Sequence, residues 1–163
     1  MQNLNRKIFT LDEFTIQQTK DQNNIARNLN PNIAFINNSL YVNMKINDTD
    51  FTGFLDLSAD HYLFLTYPYF FKSNSDYINN NPKKEVYNRF GFHGIEENLE
   101  RYRVENPRIN FGGKMVDTKK PQREVYAVAG INNFDGEVGI RFFKNTFSKT
   151  VIDFNTMTIE CDD

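Results

Sequence analysis

The sequence predicts an all-β domain, a barrel or sandwich of many short strands with one short helix late in the chain. Three observations carry this. Phe and Tyr account for the aromatic content, 15% of 163 residues with no Trp, and together with Ile and Val they are strand-forming types. Apolar and polar residues alternate with period two through Leu40, Val42, Met44 and Ile46. Turn-forming residues, Asn above all, recur at close spacing.

Taken in order, residues 1–31 are polar, with scattered Ile8, Leu11, Phe14 and Ile16, and read as an N-terminal extension or linker holding a strand or short helix. Residues 32–163 read as a single domain. Ile33 and Phe35 open a strand, Leu40 to Ile46 form the next, and Asn47-Asp48-Thr49-Asp50 turns the chain into a strand from Phe51 to Leu57. Tyr62 to Phe71 is the longest apolar run, too short for a membrane span and broken by Pro68; its aromatic cluster reads as core or dimer packing. Asn79 to Pro82 is a loop. Val86 to Phe92 and Leu99 to Val104 read as strands around Gly91-Phe92-His93-Gly94-Ile95, a glycine-flanked hairpin tip. Ile109 and Phe111 lead to a turn at Gly112-Gly113, and Val125 to Ala129 form an apolar strand. Ile140 to Thr146 is the helix, with Ile140, Phe143 and Phe147 on one face, and a hairpin around Asn155-Thr156 closes the chain.

Whole-chain properties exclude several functions. The net charge of -2 and pI of about 5.7 give no electrostatic footprint for nucleic acid. A single cysteine, Cys161, permits no internal disulfide, and nothing local activates it as a nucleophile. The compartment therefore stays open, with secretion or export to the periplasm expected if a leader precedes Met1. His61 and His93, even with Asp60, match no metal-ligand spacing, and no cofactor is implied. Ser58 has only those histidines as bases, and His61 lies too close on the same turn for a triad.

Phe54-Leu55-Asp56-Leu57-Ser58-Ala59-Asp60 is the most informative segment. Two apolar residues run into an aspartate, then small residues, then a second acid, so a strand ends by placing one carboxylate in a tight turn. A lone aspartate in such a place is most often a turn or cap residue. A second segment changes the balance: Val138-Gly139, then the helix from Ile140, then Thr150-Val151-Ile152-Asp153-Phe154. In this order the two segments resemble the paired signatures of the retropepsin-like (retroviral-type) aspartic proteases, their bacterial relatives in particular, over about residues 32–160. The resemblance implies a retropepsin-like acid-protease barrel with one short C-terminal helix. It also implies a catalytic Asp56 in an active-site loop of Leu57, Ser58, Ala59 and Asp60, and a flap at Phe92, His93 and Gly94. Asp60 resembles the acid that holds substrate backbone there.

Such an enzyme activates water between two carboxylates that share one proton. This chain offers one, since Asp117-Thr118-Lys119 has lysine where the motif needs glycine and lacks the apolar run before it. The resemblance therefore implies a homodimer, or a pseudo-dimer with a second like domain, acting on a peptide or protein substrate. Two residues depart from the signature. Leu57 stands where a Thr or Ser hydroxyl bonds across the dimer. Ser58 stands in place of glycine, its hydroxyl placed to bond Asp56. They motivate the alternative of a catalytically inactive, protease-derived peptide-binding or interaction domain. A small-ligand β-barrel unrelated to proteases is a third option, expected to lack crossed loops around Asp56 and Gly139.

Overall fold

The computed structural model describes residues 8–11, 14–17, 32–73, 84–91, 94–130, 134–154 and 156–163. Tight hairpins build its first half. β3 (Ile33–Ile36) turns at Asn37-Asn38 into β4 (Ser39–Ile46), which turns at Asn47-Asp48 into β5 (Thr49–Asp56). All four turn residues have positive φ, between 49° and 63°, the backbone of two-residue hairpins whose twist matches the flanking strands. Asn and Asp tolerate that region because their short side chains bond locally. The turn is thus two residues long, and Thr49 and Asp50 already belong to β5.

Next come β6 (Leu63–Thr66), α1 (Tyr67–Ser73), β7 (Lys84–Gly91), β8 (Gly94–Arg103), β9 (Ile109–Phe111), β10 (Lys114–Val116) and β11 (Val125–Val128). β12 (Gly136–Gly139), α2 (Ile140–Lys144), β13 (Lys149–Asp153) and β14 (Thr158–Asp162) complete the described chain. The large sheet has the order β10-β9-β4-β5-β12-β6-β11-β8-β7, with β3 beside β4. α1 is a helix the sequence reading lacks. Thr66 Oγ1 accepts the Tyr69 N–H at 3.4 Å, Pro68 sits in the first turn where it costs no hydrogen bond, and Tyr69 and Phe70 turn into the core. Of the N-terminal stretch, β1 (Ile8–Leu11) and β2 (Phe14–Gln17) form a hairpin, and β2 runs parallel to β13 in a four-stranded sheet β1-β2-β13-β14.

Asn32 and Lys114 both tie the two sheets, Lys114 by donating from Nζ to the Cys161 carbonyl at 2.9 Å. Asn32 donates through Nδ2 to the Ile159 carbonyl (2.9 Å) and accepts the Ile159 N–H through Oδ1 (2.6 Å), completing the outer edge of β14 like a strand residue. The core lies against one face of the large sheet. β5 sends Phe51 and Leu55 inward, β6 Leu63 and Leu65, β11 Val125 and Ala127, β12 Val138, and α2 plugs the base with Phe142 and Phe143. The alternate residues of these strands, among them Phe54, Phe64, Tyr126 and Glu137, point to the opposite face.

Arg123 holds α2 in place. Only 7% exposed, it donates to the Asn145 carbonyl from Nε (2.7 Å), to the Thr146 carbonyl (3.4 Å) and to the Asp117 carbonyl (2.7 Å). A cation thereby satisfies the carbonyl end of the helix, where the backbone dipole favours positive charge. Arg123→Met keeps the apolar stem and leaves those carbonyls without their donor. It is expected to lower unfolding free energy by about 3 kcal/mol, read from urea denaturation.

Candidate active site

β12 threads between β5 and β6, and this threading makes the site. It pairs parallel with β5, Gly139 opposite Asp56 and Val138 opposite Leu55, and antiparallel with β6. The loop from Asp56 to Tyr62, joining β5 to β6, must therefore pass around the end of β12. Gly139 fills the middle of that loop. A Cβ there would stand 2.1 Å from the His61 carbonyl oxygen and 3.0 Å from that of Ala59, so only glycine fits. The Gly139 N–H donates to the Tyr62 carbonyl (3.2 Å) and the Ile140 N–H to the Ala59 carbonyl (3.3 Å). Crossed loops around Asp56 and Gly139 remove the reading of an unrelated ligand-binding barrel.

Asp56 ends β5 half-buried. Both donors of Ser58 converge on its Oδ1, the N–H at 2.9 Å and the hydroxyl at 2.6 Å. The Ala59 N–H donates to the Asp56 carbonyl at 3.3 Å and closes the turn. Oδ1 is thus committed to the loop, and Oδ2 receives no donor among the described residues. Leu57 packs against the main core, which a hydroxyl residue would not do as well, while Ser58 is exposed. Ser58→Ala removes one of two donors at an exposed position. It is expected to cost about 1 kcal/mol or less in chemical denaturation, because the backbone N–H still holds Oδ1.

Asp60 forms a two-point ion pair with Arg141 of α2, Nε to Oδ1 at 2.5 Å and a second terminal nitrogen to Oδ2. This pair fastens the loop to α2 from outside, as Gly139 does from within. Behind it, Tyr62 meets Thr146 through their hydroxyls at 2.8 Å, and burial pushes the Tyr62 phenol up to about 12. His61 stacks on Phe64, ring centroids 4.0 Å apart and planes 4° apart.

Asp56, Leu57, Ser58, Ala59, Asp60, Val138 and Gly139 thus lie together where the loop after β5 passes around the end of β12. Phe92 and His93 of the expected flap lie outside the described residues. The stem of that hairpin is described: Gly91 pairs with Gly94, and the Tyr87 ring of β7 lies 6.0 Å from that of Phe64. Asp117 makes an Asx turn of its own, accepting the Lys119 N–H at 3.0 Å, but it follows edge strand β10 rather than a threaded strand. Arg141 escaped the sequence reading. Its signal was a cation two residues after Gly139, visible only once α2 sets it beside Asp60. Cavities of about 910 Å³ and about 570 Å³ exist elsewhere, and neither is lined by Asp56 or its loop. Cys161 borders the larger one, its thiol pushed up to about 12 by burial, which keeps it protonated and unreactive near neutrality.

No protein-family model matches the chain, and no curated protein matches it by sequence. Among solved structures it is similar to the retroviral protease-like domain of Ddi1 from Leishmania major, with a TM-score of 0.52 and 16% identity, covering 77% of this chain and 89% of that one. The fold is retropepsin-like. EIAV protease in complex with the inhibitor HBY-793 is also similar, at a TM-score of 0.40 and 15% identity, covering 69% of this chain and 91% of that chain. Identities this low speak to fold alone.

Proposed function

We propose that this domain is an aspartic-type endopeptidase acting as a homodimer, with water activated between the Asp56 carboxylates of two copies. The carrying observation is the Asp56 turn itself: Oδ1 is held by both donors of Ser58, and the loop is locked around Gly139. That leaves Oδ2 as the oxygen available for proton transfer. One ionised carboxylate takes a proton from water as its oxygen adds to the peptide carbonyl, and the protonated carboxyl of the other copy donates to the carbonyl oxygen. Collapse of the tetrahedral adduct breaks the C–N bond, and the proton gained from water passes to the leaving amine. The products are an acid and an amine, and both carboxyls return to their starting state. Two carboxylates a few ångströms apart share a proton because they cannot both ionise cheaply.

A second reading is favoured by Leu57, which supplies no hydroxyl to bridge two loops and is spent on core packing. In that reading the domain binds an extended peptide beneath the β7–β8 hairpin without cleaving it. Incubation with a mixed peptide library, with and without a pepstatin-type inhibitor, separates the two. Inhibitor-sensitive cleavage by a species of dimer mass in sedimentation supports the peptidase. Peptide retention without cleavage supports the binding domain.

A further inference from the structure

The β7–β8 hairpin is joined to the rest of the molecule along a short line. Among the described residues β8 pairs with β11 only through Arg101, Tyr102 and Arg103, opposite Val128, Ala127 and Tyr126. One residue further out, the Glu100 carbonyl accepts the Ala129 N–H (2.9 Å) and the Tyr67 hydroxyl (3.0 Å). Past that point β7 ends the sheet, and residues 94–99 of β8 find their strand partners in β7 alone. Six residues at about 3.3 Å each make an arm of roughly 20 Å. A small change of angle at residues 100–103 therefore becomes a large displacement at its far end.

Arg101 sits at this root and touches both sides of it. On the body side its guanidinium lies 3.9 Å over the Tyr126 ring of β11. On the arm side it lies 5.3 Å from the Tyr87 ring of β7, and two of its nitrogens meet the same Glu85 oxygen, each at 3.0 Å. Tyr87 in turn meets Phe64 of β6 at 6.0 Å, and Phe64 stacks on His61 in the loop that carries Asp56. One cation thus completes a line of packed rings from β11, through the arm, to the active-site loop. The other face of the arm offers less. Lys84 pairs with Glu100 there, but both side chains are about half exposed, and such pairs contribute little. A guanidinium over an aromatic face, with a carboxylate at its edge, is the stronger restraint.

We infer that Arg101 is a positioning residue for the peptide site: it latches the β7–β8 arm to Tyr126 and, through Tyr87, to Phe64, and so sets how tightly an extended peptide is held beneath the arm. The inference rests on the reading that a peptide lies beneath this hairpin, which the peptidase and the binding domain share. Proton transfer stays with Asp56, and Arg101 acts only through the arm.

Two measurements on Arg101→Met test it, one of the latch and one of its use. Met keeps an apolar stem beside the rings and loses the cation. Amide hydrogen exchange without peptide is expected to quicken about tenfold over residues 87–91 and 94–99 and to stay unchanged in β5. On a cleaved peptide KM is expected to rise several-fold while kcat stays within about twofold; for a peptide bound and not cleaved, Kd is read in place of KM. Arg101→Lys keeps the charge, loses the planar fork and is expected to fall between wild type and Arg101→Met in both measurements. Should Arg101→Met fail to fold, Glu85→Gln leaves the rings and the guanidinium in place and is expected to shift both readings the same way by less. Unchanged exchange overturns the latch. Quickened exchange with unchanged KM or Kd, or with the loss confined to kcat, overturns its role in holding peptide. Each of these outcomes leaves the proposed function intact. An arm that loosens as expected in a protein that neither cleaves nor binds peptide overturns the proposed function, and the positioning role with it.

Discussion

Asp56→Asn is expected to abolish peptide hydrolysis and leave the fold intact. The amide is nearly isosteric with the carboxylate, and its oxygen can still accept the Ser58 N–H at 2.9 Å and hydroxyl at 2.6 Å, so the turn has no reason to open. The position is half-buried and outside the main core, so the stability change should stay within about 1 kcal/mol. The chemistry is another matter, because an amide can neither take a proton from water nor share one with a partner carboxyl. Loss of a positioned general acid or base costs a factor of about 10² to 10⁴. In the proposed homodimer the same residue would supply both roles, one from each copy, so the variant is expected to lose both. Initial rates on a cleaved peptide, with matched unfolding curves for the two proteins, measure the effect.

Gly139→Ala is expected to damage stability and activity together. The added Cβ meets the His61 carbonyl oxygen at 2.1 Å, a backbone atom that no side-chain rotation can move aside. Relief requires the loop from Asp56 to Tyr62 to widen, which pulls on the Gly139–Tyr62 and Ile140–Ala59 hydrogen bonds. Overpacking of this kind costs about 3 kcal/mol. Gly113→Ala is the informative control: a Cβ there meets nothing within 4 Å, but its φ of +83° still penalises any side chain. That substitution should cost about 1–2 kcal/mol and leave hydrolysis unchanged. Thermal or urea unfolding of both variants gives the contrast.

The parts of the fold that were legible in the sequence are those set by local chemistry. Period-two alternation marked β3 and β4, and the Asn47-Asp48 turn led into β5. α1 was not legible, because Tyr67, Tyr69, Phe70 and Phe71 are strand formers by propensity. They become helical because Thr66 caps them and because Tyr69 and Phe70 find a core to enter, with the Tyr69 hydroxyl donating to the Thr49 carbonyl at 2.9 Å. The partnership of Asp60 with Arg141, 81 residues apart, depends on where α2 docks. Glu137 is the sharpest case. In sequence it is an ordinary acid between Gly136 and Val138, and only its pairing with Phe54 on one side and Phe64 on the other reveals an acid buried in an aromatic row.

The central claim is that two copies of Asp56 make one active centre, and mixing tests it most directly. Wild-type protein is combined with Asp56→Asn at constant total concentration, allowed to exchange subunits, and assayed on a cleaved peptide. If every active centre needs an Asp56 from each copy, activity falls with the square of the wild-type fraction. A linear fall, as expected when each chain works alone, would contradict it.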